Sequence, residues 1–202
     1  MEQLQQQTPA WFRMRLGRFT ASQIYKLISK RGGFTQTAHS YIMEKVTEEI
    51  IGYKEEFSTM AMVWGNDHEA EARELYELIT NQTVEEIGFV EDGDDAGGSP
   101  DGLVGTDGMI EIKCPYNSTH HLQHGLIETD QDVPDAYYWQ MQMNMCITNR
   151  AWCDFVSYDP RCKLKIFIYR LHADEDACIQ LGNAIDFAIK KKQEIIEKLT
   201  NR

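Results

Sequence analysis

The sequence predicts an α/β protein made of a single domain, with helices flanking a mixed β-sheet. Segments with helical spacing of apolar residues come first, short alternating segments follow, and a helix, two strands and a final helix end the chain. No internal repeat, low-complexity tract or Pro/Gly-rich linker divides the 202 residues. This length suits one domain with a substantial core.

Five helices are predicted. A capping box at residues 20–23, with Thr20 as N-cap, opens the first helix, which extends to about residue 29. The second spans about 37–51, because apolar residues recur every four positions from Ile42 and Gly52 can end the helix. The other three are predicted at about 65–80, 136–148 and 174–199.

Five strands are predicted, at about 83–90, 102–104, 109–114, 151–158 and 163–171. In the third of these, Ile110 and Ile112 alternate with Glu111 and Lys113. Because successive side chains on a strand point to opposite faces, the acid and the base share one face and the apolar residues the other. The strand therefore predicts a rigidly mounted pair of opposite charges.

The charge distribution is uneven. The net charge is −12, yet the first 31 residues hold six basic residues and one acidic residue. A basic front end beside an acidic body fits an enzyme that holds DNA locally. On charge alone, an acidic protein with an incidentally basic N-terminus stays open. Lys190, Lys191 and Lys192 are expected on the exposed face of the last helix.

Cysteine usage and the N-terminal sequence predict a cytoplasmic protein. The five cysteines are odd in number, scattered and without a C-x-x-C pair, which predicts reduced thiols rather than a disulfide framework or a zinc site. No signal segment and no membrane-length apolar run is present. His120, His121 and His124 lie close together, but zinc is disfavoured because no cysteine or carboxylate has matching spacing.

The most informative pattern is Ser99-Pro100-Asp101-Gly102 followed by Glu111-Ile112-Lys113. Two carboxylates and one ammonium at this spacing suit a magnesium-dependent phosphodiesterase, since hard cations take oxygen ligands and need only two or three carboxylates. The proline and the glycine predict the turn that brings Asp101 beside the strand. Glu69, near the start of a predicted helix, is a third carboxylate candidate. A lone E-x-K pair would instead fit an exposed hairpin.

A second pattern predicts an anion site. The helix that opens at Thr20 offers free backbone N–H groups and the Ser22 hydroxyl, and Arg15 on a short connector can reach the same anion. The alternative, in which Ser22 only caps and Arg15 is a surface residue, is equally compatible. Gln140 or Gln142 could present an amide to a phosphate.

Together these residues resemble the lambda exonuclease (YqaJ-type viral recombinase) family of the PD-(D/E)xK nuclease superfamily, from about residue 11 to 161. The motifs that carry the resemblance are Arg15-Leu16-Gly17, Thr20-Ala21-Ser22, Trp64-Gly65 with Glu69, Ser99-Pro100-Asp101-Gly102, Glu111-Ile112-Lys113-Cys114-Pro115, and Gln140 with Gln142. The resemblance implies a restriction-endonuclease-like fold. Its parts are a basic DNA-end-binding portion at about 11–31, a catalytic core at about 60–171 and a C-terminal helix at about 174–199.

The resemblance also implies an activity. It implies a Mg²⁺-dependent 5′→3′ exonuclease that degrades one strand of double-stranded DNA from a 5′-phosphorylated end and leaves a 3′ single-stranded tail for annealing recombination. Two Mg²⁺ ions, replaceable by Mn²⁺, a homotrimeric ring, a single-strand annealing partner and a phage or prophage origin in a bacterial cell are implied as well. Another PD-(D/E)xK endonuclease and a non-catalytic DNA-end or recombination-partner binding module remain the alternatives.

By position in the family motifs, Asp101 and Glu111 match the metal-binding carboxylates, and the backbone carbonyl of Ile112 matches a further ligand. Glu69 matches an additional carboxylate of the metal site. Lys113 matches the lysine that positions or deprotonates the attacking water.

The residues that would hold DNA are also carried over by position. The pocket for the terminal 5′-phosphate is matched by Arg15, Ser22, Ser99 and Gln140. Arg31 falls near a family arginine that tracks the duplex. Met62 takes the place of an aliphatic wedge that splits the end base pair, a position where a leucine is known.

Overall fold

Two β-sheets organise the part of the chain that the computed structural model describes, residues 6–54 and 58–201. The larger sheet has the strand order β2 (Val84–Glu85), β5 (Gly102–Val104), β6 (Gly108–Lys113), β7 (Trp152–Tyr158) and β8 (Ile166–His172). Its neighbours pair antiparallel except for the parallel pair β6–β7. The smaller sheet has the order β1 (Phe19–Thr20), β4 (Ala96–Gly98) and β3 (Val90–Asp92). The mixed sheet predicted from the sequence is confirmed.

Helices cover both faces of the larger sheet. They are α1 (Pro9–Arg15), a 3-10 helix (Ala21–Lys26), α2 (Ala38–Ile51), α3 (Met60–Thr80), α4 (Ser118–His124), α5 (Asp135–Thr148) and α6 (Glu175–Thr200). Helix α3 packs on one face, against β6, β7 and β8. Helix α5 packs on the other, together with the 3-10 helix and α6.

Strand β6 lies between the two parts of the core. Met109 belongs to the larger hydrophobic cluster, which is shared with α5 and α6. Ile110 and Ile112 belong to the smaller cluster, together with Tyr76 of α3. The alternation predicted for this strand is confirmed, and it leaves Glu111 buried on the α5 side.

Several helix boundaries follow the sequence signals. Helix α2 ends at Gly52, which adopts a left-handed φ of 75° as the C-cap, as its position predicts. Helix α3 begins earlier than expected, at Met60, because the Thr59 side chain accepts a hydrogen bond from the Met62 N–H and caps the helix there. Trp64, which precedes the predicted start at about residue 65, therefore lies inside the helix.

The predicted capping box at residues 20–23 is wrong. Thr20 makes no side-chain cap hydrogen bond; it pairs with Gly97 in the smaller sheet, and a 3-10 helix follows instead of an α-helix. The strand expected at 83–90 is two strands of different sheets, β2 and β3. The helices α1 and α4 were not predicted. Arg15 consequently ends a helix rather than lying on a connector.

The expectation of five reduced cysteines is also wrong. Cys146 of α5 and Cys178 of α6 form a disulfide with Cα atoms 6.0 Å apart, while the other three thiols are free. The two partners are 32 residues apart in the sequence and meet only because the helices pack together. In the described ranges, no helix has the length and apolar character needed to span a membrane.

Two of the clustered histidines are buried and serve the packing of α4 on β7. The Nδ1 atoms of His121 and His124 both contact the Ser157 Oγ, at 3.0 and 2.9 Å. The Nε2 of His121 lies 2.7 Å from the carbonyl oxygen of Leu164. Burial is the largest of the effects that lower the pKa of His124, to about 4, so the ring is neutral at pH 7.

Candidate active site

A cavity of about 460 Å³ lies beside the C-terminal end of β6. Almost all the predicted site residues line it: Arg15, Ser22, Met62, Glu69, Ser99, Asp101, Glu111, Ile112, Lys113 and Gln140. They come from α1, the 3-10 helix, α3, the turn before β5, β6 and α5. Arg31 lies outside the cavity, exposed in the turn between the 3-10 helix and α2. Met62 is 53% exposed on the first turn of α3.

The acidic part of the cavity is built on β6 and the turn before β5. Asp101 Oδ2 accepts a hydrogen bond of 2.7 Å from the Ile112 N–H. Glu111 Oε1 accepts one of 2.6 Å from Gln140 Nε2 and another from Lys113 Nζ. The second oxygen of Glu111, Oε2, is buried and has no hydrogen-bond partner among the described residues. A buried carboxylate oxygen without a donor is costly unless a ligand binds it.

The carboxylates crowd one another. Burial, reinforced by the Asp101 charge, raises the pKa of Glu111 to about 8 and that of Glu69 to about 7. Burial also raises the pKa of Asp101. For Lys113, burial opposes the charged form, but the carboxylates of Glu111 and Asp101 prevail and raise its pKa above the ordinary value. One ammonium therefore does not offset the burial and crowding of three carboxylates, which hold their protons to a higher pH than isolated acids do.

This donor set fits a hard divalent cation. The orphan Glu111 Oε2, the Asp101 carboxylate and the Ile112 peptide offer oxygen ligands in one cavity. In the described ranges, no group of three or more His, Cys, Asp or Glu side chains is positioned to hold one ion. A cation such as Mg²⁺ keeps several waters and uses one or two carboxylates, a number that Asp101 and Glu111 provide.

Glu69 lines the same cavity but is held by its own helix. Its Oε1 accepts a hydrogen bond of 3.0 Å from Arg73, one turn further along α3. Arg73 also pairs with Glu86 at 2.7 Å. The part that Glu69 plays at the metal site stays a prediction.

The cationic part of the cavity is centred on Arg15. Its Nη2 donates to Ser22 Oγ at 3.1 Å, and its guanidinium lies 4.1 Å from the centroid of the Trp11 ring. The indole N–H of Trp11 donates to Ser99 Oγ at 2.9 Å. Burial lowers the pKa of Arg15 to about 10, so the group is still charged at pH 7. The arrangement is suited to an oxyanion such as a phosphate.

Trp11 was missed by the sequence reasoning. It lies four residues before Arg15 on the same face of α1, and this spacing would have revealed it had that helix been predicted. Gln6 was missed as well: its Nε2 donates to the carbonyls of Ile87 and Pro100, at 2.8 and 2.9 Å, and holds the turn that carries Asp101.

The two glutamines of α5 have different surroundings. Gln140 lines the cavity, where it contacts Glu111 and, at 3.4 Å, Lys113. Gln142 is fully buried away from the cavity and bonds the His172 carbonyl and the Asp174 N–H, at 2.9 and 3.0 Å. Gln142 is therefore a structural residue and Gln140 alone can meet a ligand.

The fold defines the class of protein, because solved structures of exonucleases share it. The alkaline exonuclease LHK-Exo from Laribacter hongkongensis is similar over 96% of this chain and 97% of that chain, with 32% identity and a TM-score of 0.84. The structure of LHK-Exo in complex with dAMP matches with 33% identity and a TM-score of 0.85 over the same shares. A phage related exonuclease from Haemophilus somnus 129PT shares the fold, with 19% identity, a TM-score of 0.72, and coverage of 90% and 96%.

The chain belongs to the YqaJ-like viral recombinase family, whose domain model matches residues 10–151. It is an enzyme of the exonuclease class. The matched range contains all the residues that line the cavity except Gln6. No match was found among curated protein sequences.

Proposed function

We propose that this protein is a Mg²⁺-dependent 5′→3′ exonuclease that digests one strand of double-stranded DNA from a 5′-phosphorylated end. One observation carries the proposal: a single cavity joins the acid cluster of Asp101 and Glu111 to the cationic pocket of Arg15, Ser22 and Ser99. The acid cluster suits cleavage of a phosphodiester, and the cationic pocket suits a terminal phosphate.

A DNA substrate is supported by the relative of known structure. LHK-Exo was solved in complex with dAMP, a deoxynucleotide. The basic first 31 residues of this chain supply Arg15 to the cavity, and they include the exposed Arg31, which would contact the duplex. Met62, exposed at the same cavity, would act as the wedge at the terminal base pair.

Asp101, Glu111, the Ile112 carbonyl and Glu69 would hold Mg²⁺, with Mn²⁺ as a substitute. When bound, two such ions supply a nucleophilic water and charge neutralisation at the phosphate. Lys113 and Gln140 would position the groups that take part in this reaction. The raised pKa of Lys113 keeps its ammonium charged, so it would orient water and offset negative charge rather than accept a proton. The Gln140 amide holds Glu111 in place.

The cationic pocket would set the polarity of digestion. A phosphate bound between Arg15, Ser22 and Ser99 would be a 5′-phosphate, and each cleavage would create a new one for the same pocket. The product would be a 3′ single-stranded tail, the substrate of a single-strand annealing protein in recombination. A homotrimeric ring would retain the enzyme on DNA by topology, which is compatible with a net charge of −12.

The test is the strand polarity of nucleotide release from an end-labelled duplex, with and without a 5′-phosphate. Wild type should release nucleotides from the 5′ end, in a Mg²⁺-dependent reaction that Lys113→Ala abolishes. Arg15→Ala should lower the ratio of rates on 5′-phosphorylated and 5′-hydroxyl ends by roughly 10- to 100-fold, the worth of a hydrogen-bonded charge pair.

The matched control is Arg13→Ala. This arginine is on the same helix but outside the cavity, and its removal should leave the ratio unchanged. Release from the 3′ end, or efficient cutting of covalently closed circles, would instead indicate a different nuclease and overturn the proposal.

A further inference from the structure

The position of Arg15 is set outside helix α1. None of the seven described residues of this helix is buried, so its own packing fixes it weakly. The chain leaves the helix through Leu16 and turns at Gly17, which has a left-handed φ of 71°. The contacts that hold Gly17 therefore help to set the direction in which the guanidinium of Arg15 enters the cavity, together with Trp11 and Ser22.

Two charged side chains bind the backbone of Gly17, one at its N–H and the other at its carbonyl oxygen. The Gly17 N–H donates to Glu48 Oε2 of α2 at 3.0 Å. The Gly17 carbonyl accepts a hydrogen bond of 3.2 Å from Lys192 Nζ of α6, a residue 175 positions away. Backbone groups at this turn are thus bonded by side chains of two long helices that pack on each other.

Both side chains are fixed by ion pairs. Lys192, expected on the exposed face of its helix, is buried: its side chain is 4% exposed and pairs with Glu49 at 2.7 Å and with Asp95. Glu48 is equally buried and pairs with Lys45 at 2.9 Å. Burying a charge is expensive unless it is paired in a defined geometry, so these side chains have little freedom to move.

Neither Glu48 nor Lys192 reaches the active-site cavity. Lys192 and Gly17 line a second cavity of about 460 Å³ on the other side of the turn. The backbone at Gly17 is the contact that links both side chains to Arg15. Glu48 also acts on Arg15 by charge, since it is among the groups that oppose the lowering of the Arg15 pKa by burial.

We propose that Lys192 and Glu48 are positioning residues that hold Gly17 so that Arg15 faces Ser22 and the terminal 5′-phosphate. The C-terminal helix thereby determines the preference for phosphorylated ends. The inference rests on the proposed function of the Arg15 pocket.

The experiment compares Lys192→Met with Lys191→Met in the end-preference assay. Lys191 is the matched control, because its side chain is 43% exposed on the same helix and pairs with Glu194, three residues further along. Lys192→Met should lower the ratio of rates on 5′-phosphorylated and 5′-hydroxyl ends by about tenfold, and Lys191→Met should not change it. In the Arg15→Ala background, Lys192→Met should lower the ratio no further, because both changes remove the same interaction.

A second variant covers the case in which Lys192→Met does not fold. Gly17→Ala strains the left-handed turn while leaving every charge in place, and it should lower the ratio as well. An unchanged ratio in the folded variants, an equal loss on both kinds of end, or effects additive with Arg15→Ala would overturn the inference. If Arg15→Ala itself leaves the ratio unchanged, the proposed 5′-phosphate pocket fails first, and the inference falls with it.

Discussion

Glu111→Gln should stabilise the metal-free protein while it abolishes activity. The carboxyl is 1% exposed and its pKa is raised from 4.5 to about 8, by burial first and by Asp101 next. The folded state therefore holds this proton more tightly than the unfolded state, and the ionised form destabilises the fold. Glutamine keeps the shape and an oxygen for the bonds from Gln140 and Lys113.

The magnitude follows from the difference in pKa. At about pH 7 the group lies about 2.5 units above its unfolded pKa, and at about 1.36 kcal/mol per unit the penalty is about 3 kcal/mol. The penalty is absent below the unfolded pKa and grows as the pH rises towards the folded pKa. At about pH 5 it should therefore be below about 1 kcal/mol.

The assay is urea unfolding of wild type and Glu111→Gln in EDTA at about pH 5 and pH 7. Glu74→Gln, on the exposed face of α3, is the control and should change stability little at either pH. Mg²⁺ should then raise the melting temperature of wild type more than that of Glu111→Gln, because ligand binding stabilises only a competent site. A glutamine variant less stable than wild type at pH 7, or a difference independent of pH, would refute the reasoning.

Three further predictions concern other parts of the molecule. The pKa of His124 is lowered to about 4, so the neutral ring stabilises the folded protein above about pH 6.5. The free energy of unfolding should therefore fall as the pH is lowered towards 4. In urea unfolding, wild type should lose up to about 3 kcal/mol more than His124→Gln does. Reductant should lower the stability of wild type by about 3 kcal/mol, measured as a lower melting temperature. It should not affect a variant in which Cys146 and Cys178 are replaced by alanine. A wild type whose melting temperature does not respond to reductant would contradict this prediction. Met62→Ala should slow digestion of paired ends, and a terminal mismatch should restore the rate; equal slowing on both would argue against a wedge.

Local signals predicted the elements whose structure depends on local chemistry. Gly52 ends α2 because a glycine accepts the left-handed conformation there, and the alternation around Glu111 indicates both the strand and its faces. Thr20 shows the limit of such signals. Its sequence suits a helix cap, but pairing with Gly97 draws it into a strand, and the partner lies 77 positions away.

The candidate site was predictable where motifs are contiguous and unpredictable where the fold supplies the partner. Asp101 and Glu111 stand in one short pattern, so their meeting could be expected from the turn that Pro100 and Gly102 mark around Asp101. The contact of Trp11 with Ser99 and the burial of Lys192 depend on packing between segments far apart in the chain. A lysine at the end of a run of three lysines gives no sign of a buried ion pair.

The active site depends on the exact number of residues in strand β6. Because residues on a strand alternate, one extra residue before Ile110 would direct Glu111 into the apolar cluster around Tyr76 and bring an isoleucine into the cavity. Core and active site would fail together, whatever the inserted residue is. Natural variation in this segment should therefore proceed by substitution, and insertions or deletions should be confined to the turns on either side.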